Sequence, residues 1–303
     1  MKTVFKKQAF ALLLLLTGTF RLATAQDVDL FKSQDAQDKK DKQTLTDYTT
    51  AAFKTTRLIN GQSIENLGAG ILDVKISHRF NPINEGAYTL FGLDNASMRM
   101  GVDYGINKWL MVGVGRSTFE KTYDFFVKAR ILRQSTGKVK MPISLSYAGS
   151  MIWKTIKDPS LTNYSDRFSY SHQLLIARKF NDYISLQLMP TLVHYNSVLH
   201  LSQPNDYYSL GVGGRLRLNR RVNLTSEYYY RFTKEDGYVN SFSVGFDIET
   251  GGHVFQFHFT NSTGMTDRTF IEETVNKWSD GGVRFGFNIA RVFTIVKPKE
   301  LKL

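Results

Sequence analysis

The chain has 303 residues, a formal net charge of +12 and no cysteine. Without cysteine there are no disulfides, no thiol catalysis and no cysteine-ligated zinc. The bases are scattered along the chain behind an export signal, which argues against a nucleic-acid partner.

Lys2, Lys6 and Lys7 precede an apolar run from Ala9 to Leu16, and Ala23-Thr24-Ala25 supplies a small-residue cleavage pattern. Residues 1–25 therefore read as a secretory signal peptide. No cysteine follows the run, so a lipid-anchored lipoprotein is excluded. The signal carries four positive residues with Arg21, which leaves the mature chain at +8. That balance suits an anionic lipid or lipopolysaccharide surface, or anions in a lumen. No other apolar run approaches the ~18 residues of a membrane helix.

Residues 26–66 form a lead-in expected in the periplasm. Its first part ends in Asp38-Lys39-Lys40-Asp41-Lys42 and is too polar to bury. Thr49 to Ile59 suits a short helix or an extra strand, and Asn60-Gly61 a turn. A plug inside a barrel is one reading of residues 44–66.

From residue 67 to 296 the pattern is β throughout. Ile71 to Phe80 alternates Leu72, Val74, Ile76 and Phe80 with Asp73, Lys75, Ser77 and Arg79. Three hairpins then share one design: an alternating strand, three residues opening with Asn107, Asn181 or Asn219, and a second strand. A three-residue loop sets its flanking residues opposite each other. Tyr104 then faces Val112, Val102 faces Val114, Ile176 faces Leu188 and Leu216 faces Leu224, all on one apolar side. Tyr123 to Leu132 is a strand. Gln134 to Lys138 turns the chain, and Met141 to Ser150 is expected to return. Pro190 falls inside a strand and suggests a bulge. Strands carrying Phe242 to Ile248, Phe255 to Phe259 and Val283 to Phe293 complete the set. A short helix is expected near Thr269–Lys277 within a solvated acidic loop. Residues 297–303 are a basic tail.

This is the pattern of a closed antiparallel transmembrane β-barrel of about twelve strands with both termini in the periplasm, its connections alternating short and long. Trp109 and Tyr183 sit at short turns, and Tyr170 and Trp278 near long loops, where aromatic belts meet the membrane interfaces. Arg116 and Arg178 fall on the apolar face near strand ends, where long stems reach the interface.

The chain resembles a domain-of-unknown-function family of outer-membrane β-barrels from gram-negative bacteria. The resemblance runs from about Ala52 to Phe293. It rests on Phe53 to Asn60, His78-Arg79-Phe80, Phe91 to Ala96, Gly113 to Ser117 and the closing Phe285 to Phe293. It implies a fold and a location but no activity. The closing strand looks like the aromatic-ending strand recognised by the barrel assembly machinery.

The residues point to no cofactor and no metal. His194-Tyr195-Asn196-Ser197 has the residue types of outer-membrane phospholipases but not their order, so an enzyme at the rim ranks third. Inward parity places ten bases (Lys75, Arg79, Arg99, Lys128, Arg130, Lys179, Arg215, Arg217, Arg231, Arg284) against five acids (Asp73, Asp103, Asp124, Glu227, Asp247). A passive, anion-preferring pore for small solutes is the leading reading. A closed scaffold for interaction or assembly, its protein partner unknown, is the alternative. Arg217 lacks a charged neighbour across its hairpin, which predicts that water reaches it through a partly open lumen.

Overall fold

The computed structural model describes residues 46–159, 163–198 and 203–297. The expected signal peptide, the charged stretch before residue 44 and residues 298–303 lie outside these.

Fourteen strands occur in chain order among the described residues: β1 (Thr46–Tyr48), β2 (Ile71–Pro82), β3 (Ala96–Gly105), β4 (Leu110–Ser117), β5 (Thr122–Leu132), β6 (Ser135–Gly137), β7 (Ser144–Lys154), β8 (Phe168–Lys179), β9 (Ile184–Tyr195), β10 (Asp206–Arg217), β11 (Val222–Arg231), β12 (Ser241–Thr250), β13 (His253–Thr260) and β14 (Arg284–Thr294). Twelve of them close an antiparallel barrel, with β14 pairing back onto β2. β1 and β6 form a separate two-stranded sheet.

The three Asn turns are built alike. Asn107 Oδ1 accepts from the amides of Trp109 and Leu110 at 2.8 and 2.9 Å. Asn181 and Asn219 do the same for Tyr183 and Ile184, and for Arg221 and Val222. A short side-chain acceptor that stands in for a backbone carbonyl is why Asn opens each turn. The turns fix the predicted registers: Tyr104 opposite Val112, Ile176 opposite Leu188, and Leu216 opposite Leu224.

Three expectations fail locally. The strand predicted at Met141–Ser150 is Ser144–Lys154, because residues 133–143 first run out to build β6 against β1. Pro190 makes no bulge; its pairing with Leu210 stays in register. The ladder shifts instead between Arg284 and Gly286 and between Arg130 and Leu132. The helix α1 is Asp267–Ile271, shorter and earlier than expected, and it is buried.

The outward face is apolar, with Val102, Val114, Phe125, Val127, Leu174, Leu188, Phe246 and Phe257 among its exposed side chains. Trp109 and Tyr183 are exposed at the short turns. At the other end Tyr170 approaches His194, and Trp278 lies tilted against Phe242, with centroids 6.4 and 5.1 Å apart. The two arginines expected on the apolar face lie over rings: Arg116 above Tyr123 at 5.6 Å and Arg178 above Phe180 at 5.2 Å. Each guanidinium thus keeps a favourable neighbour on an otherwise apolar face.

Candidate functional site

Two segments of the chain occupy the barrel interior. From the short-turn end, residues 51–67 rise into it as a buried loop, with neither the helix nor the strand expected over Thr49–Ile59. From the long-loop end, residues 261–274 fold down into it, α1 included. They share an apolar centre with the wall: Phe53, Leu58 and Ile64 from the first, Phe270 and Ile271 from the second, and Ala148, Leu175, Ala177, Met189 and Tyr229 from the strands.

The first segment turns at Leu58–Gly61, where Leu58 N–H donates to Gly61 O at 2.8 Å. The amides of Ile59, Asn60 and Gly61 all point at Glu227, which accepts them at 3.3, 2.8 and 3.0 Å. Successive N–H groups converging in a turn make a natural anion seat. The opposite polarity recurs at Lys128: its ammonium donates to the carbonyls of Thr56, Ser63 and Glu65 at 3.1, 3.0 and 2.7 Å. Leu58 O accepts from Gln256, Ile59 O from Asn288, Gln62 O from Gln187 and Ala51 O from Arg215. Ten backbone groups of this irregular segment are thereby met by side chains of the wall, as burial demands.

The other predicted lumen residues fall into place around this segment. Arg79 donates to Asn60 Oδ1 at 2.5 Å. Lys75 lies between Asp73 and Asp103, at 2.7 and 2.5 Å, and reaches the Thr56 hydroxyl. Arg99 grips Asp124 through Nε and Nη2 at 2.9 and 2.5 Å. That guanidinium fills the space over Gly101 and Gly115, while Phe126 fills the space over Gly113. The glycine patch thus serves side chains of its own wall. Asp247 accepts from Thr225 and Gln256 at 2.6 and 2.9 Å. Arg284 donates to Phe80 O at 3.1 Å.

Glu227 serves three amides, while Arg215 donates to Ala51 O and Asp182 O. One expectation needs correction. Arg217 is half-exposed and donates to Asn219 O at 3.2 Å. It is wet because it stands at the short-turn rim, so its hydration says nothing of an open lumen. Arg130 stands at the same rim and donates to Lys108 O.

The expected solvated acidic loop is also overturned. Asp267 is buried and accepts from Ser150 and Ser171 at 2.8 and 2.6 Å. Glu272 is buried and pairs with Arg231 at 2.7 Å. Arg268 pairs with Glu120 and lies 3.5 Å from Glu273. Burial raises the carboxyls of both Glu272 and Glu273 above the ordinary range, despite the arginines beside them. Burial opposes the charge on Arg268, but Glu273 and Glu120 outweigh it and raise the guanidinium. Above this floor lies a vestibule of about 570 Å³ at the long-loop end. At the other end a recess of about 10 Å³ remains around Thr55, Asn66 and Asp73.

Among the described residues, the hydrogen-bond partner of the rim His194 is a carboxylate, Asp206. His194 Nδ1 is 2.7 Å from Asp206 Oδ1, and both are outward and exposed. What parity missed was the apolar share of the lumen. Leu175, Ala177, Met189 and Val193 occupy inward positions of β8 and β9 and are fully buried. Apolar residues on a supposed water-facing side were the available signal.

The family described as a membrane-bound beta barrel domain (DUF5777) matches residues 53–293. The chain belongs to this family. The match begins at Phe53, so it takes in the inserted segment as well as the strands. The lipid-facing band described above is therefore a membrane contact. No curated protein matches the chain in sequence. Solved structures similar to it include the NanC porin, at 9% identity over 74% of this chain and 100% of that one, with a TM-score of 0.47. The KdgM porin is 12% identical over 73% and 99%, with a TM-score of 0.45. An outer membrane channel from Pseudomonas putida F1 is 13% identical over 76% and 98%, with a TM-score of 0.43.

Proposed function

We propose that this chain is an outer-membrane channel for small solutes, held shut by its own N-terminal segment. The observation that carries this is how residues 51–67 are held. Wall side chains bond mainly to their backbone, and those side chains are the charged and amide groups an aqueous lumen would present. Once the segment leaves, Glu227, Lys128, Arg79 and Lys75 exchange protein partners for water, at a modest net cost per bond. A barrel of twelve strands is wide enough to enclose such an insert and, emptied, a narrow passage. Anion preference belongs to the opened state and follows from the excess of inward bases over acids. The expected signal peptide and the lipid-facing band support a barrel in the outer membrane, among lipid and lipopolysaccharide, with the short turns and the lead-in in the periplasm.

Planar-bilayer recording tests this. Wild type should conduct little or intermittently. A variant with residues 52–66 replaced by a Gly-Ser linker should conduct steadily, with a reversal potential favouring anions. Unboiled gel mobility confirms that both are folded. Two folded, non-conducting proteins would favour the closed scaffold instead.

A further inference from the structure

We propose that the lipid-facing side of β3 to β8 carries a site for one molecule of lipopolysaccharide, held through its lipid A moiety. The proposal goes beyond the channel reading and takes from it only the orientation, with the long loops outside.

A groove of about 630 Å³ crosses this side of the barrel. It follows two adjacent rows of the ladder, from Val102 and Tyr104 on β3 to Tyr170 and His172 on β8. Short Val112 and Val127 and the bare Gly149 form its bed. One row further toward the long loops stands a ridge of rings. Tyr123 lies against Trp153 and Trp153 against Phe168, with centroids 5.7 and 6.0 Å apart. The groove spans four strand spacings, about 19 Å. That is broad for the paired chains of a glycerophospholipid. It suits lipid A, whose sugar backbone sets several chains side by side.

Two polar features name the occupant more closely. Arg116 is exposed at the long-loop end of β4, two residues beyond Val114, with its guanidinium over Tyr123. The nearest acid along the chain, Glu120, is engaged by Lys154 and Arg268 instead. A guanidinium at the membrane interface, above an apolar groove, complements a lipid phosphate.

The second feature is a Tyr–His pair. The Tyr147 hydroxyl lies over Gly149, 2.6 Å from His172 Nδ1. Whichever of the two donates, one further N–H or O–H of the pair remains to be met. Hydrocarbon offers it nothing. His172 is the fifth residue of β8, which puts it about 10 Å below the outer end of that tilted strand. The ester groups of a glycerophospholipid lie at the edge of the hydrocarbon, above this level. Lipid A carries hydroxyl and ester oxygens part-way along its chains, and one of these can accept at His172 or Tyr147. The two anchors, on β4 and β8, are three strand spacings apart, about 14 Å, so one broad lipid reaches both.

Native mass spectrometry of the full-length mature protein, refolded without lipid, tests this. The probes are purified lipid A, phosphatidylethanolamine and cardiolipin. One lipid A should stay on each chain at collision energies that strip the other two. Arg116→Gln, His172→Leu and the groove-filling Val127→Trp should each cut the retained fraction about tenfold. Phe257→Leu, across the barrel on β13, should leave it unchanged. Unboiled gel mobility confirms that every variant is folded. The proposal is overturned if lipid A is stripped as easily as the comparators, or if either folded anchor variant holds it as wild type does. It is also overturned if the wild type is a dimer that Val127→Trp makes monomeric, since a second copy would then cover the groove. Retention is read without current and without cells, so failures of the channel reading or of the orientation remain separate results.

Discussion

Gly61 lies directly against the phenol of Tyr229, so close that an added Cβ would overlap the hydroxyl oxygen. On its other side Tyr229 meets the ring of Phe270 edge to face at 5.2 Å. One wall residue therefore touches the tip of the N-terminal segment and the helix of the in-folded loop at once. Gly61→Val should expel the tip. We expect a loss of about 1–3 kcal/mol from overpacking and more frequent channel openings, read by thermal unfolding and bilayer recording. A fully stable and silent variant would show that the tip does not control closure.

Glu227→Ala leaves three amides of the turn without an acceptor. Unmet buried donors cost about 1–3 kcal/mol, and the loss should appear as easier departure of the segment. A cysteine replacing Leu58, in a chain that otherwise has none, should react with a thiol reagent much faster in the Glu227→Ala background. Equal rates in both backgrounds would contradict the clasp. Lys128→Met should act in the same direction by freeing three carbonyls.

The in-folded loop should respond to pH. Burial raises Glu272 and Glu273, outweighing Arg231 for the first and Arg268 for the second, with Glu120 and Lys154 also facing Glu273. The folded-in state therefore holds protons more tightly than a solvated loop. Its stability is greatest below the solvated glutamate range, near pH 4, and is lost as pH rises through the raised values. A cysteine replacing Ile271, compared with one replacing the exposed Ser279, should become relatively more reactive as pH rises across that window. A flat or falling ratio would reverse the sign.

Topology gives a simpler expectation. A tag at Asn163, which is exposed in a long connection, should be labelled on intact cells, and tags at Asp182 or Arg220 should not. The opposite pattern would invert the barrel. Asp267 is unsuitable for a tag because it is buried against Ser150 and Ser171.

The strands and their registers were legible because a hairpin turn and a period of two are local facts. Asn107, Asn181 and Asn219 each carry their own turn, and parity does the rest. The filled lumen was less legible. Alternation tells that Lys128 and Glu227 point inward but not what they meet there, and their partners lie 63 to 168 residues away. The polar wall suited water as well as it suited a backbone. Leu175 and Met189 were the residues that distinguished the two, and they distinguish them only when weighed against their inward parity. The vestibule was unreadable because it needs Arg231, Arg268 and Glu272 brought together by a loop with no periodicity at all.

The seam of the barrel has a consequence for how the molecule assembles. The first and last barrel strands, β2 and β14, meet there, and each also holds the turn of the N-terminal segment: Arg79 from β2 through Asn60, and Asn288 from β14 through Ile59. Joining these strands brings together pieces made at opposite ends of synthesis, the slowest encounter in the chain. A segment bonded to both acts as a mandrel, shortening the search by offering the late strand a surface that the early strand already holds.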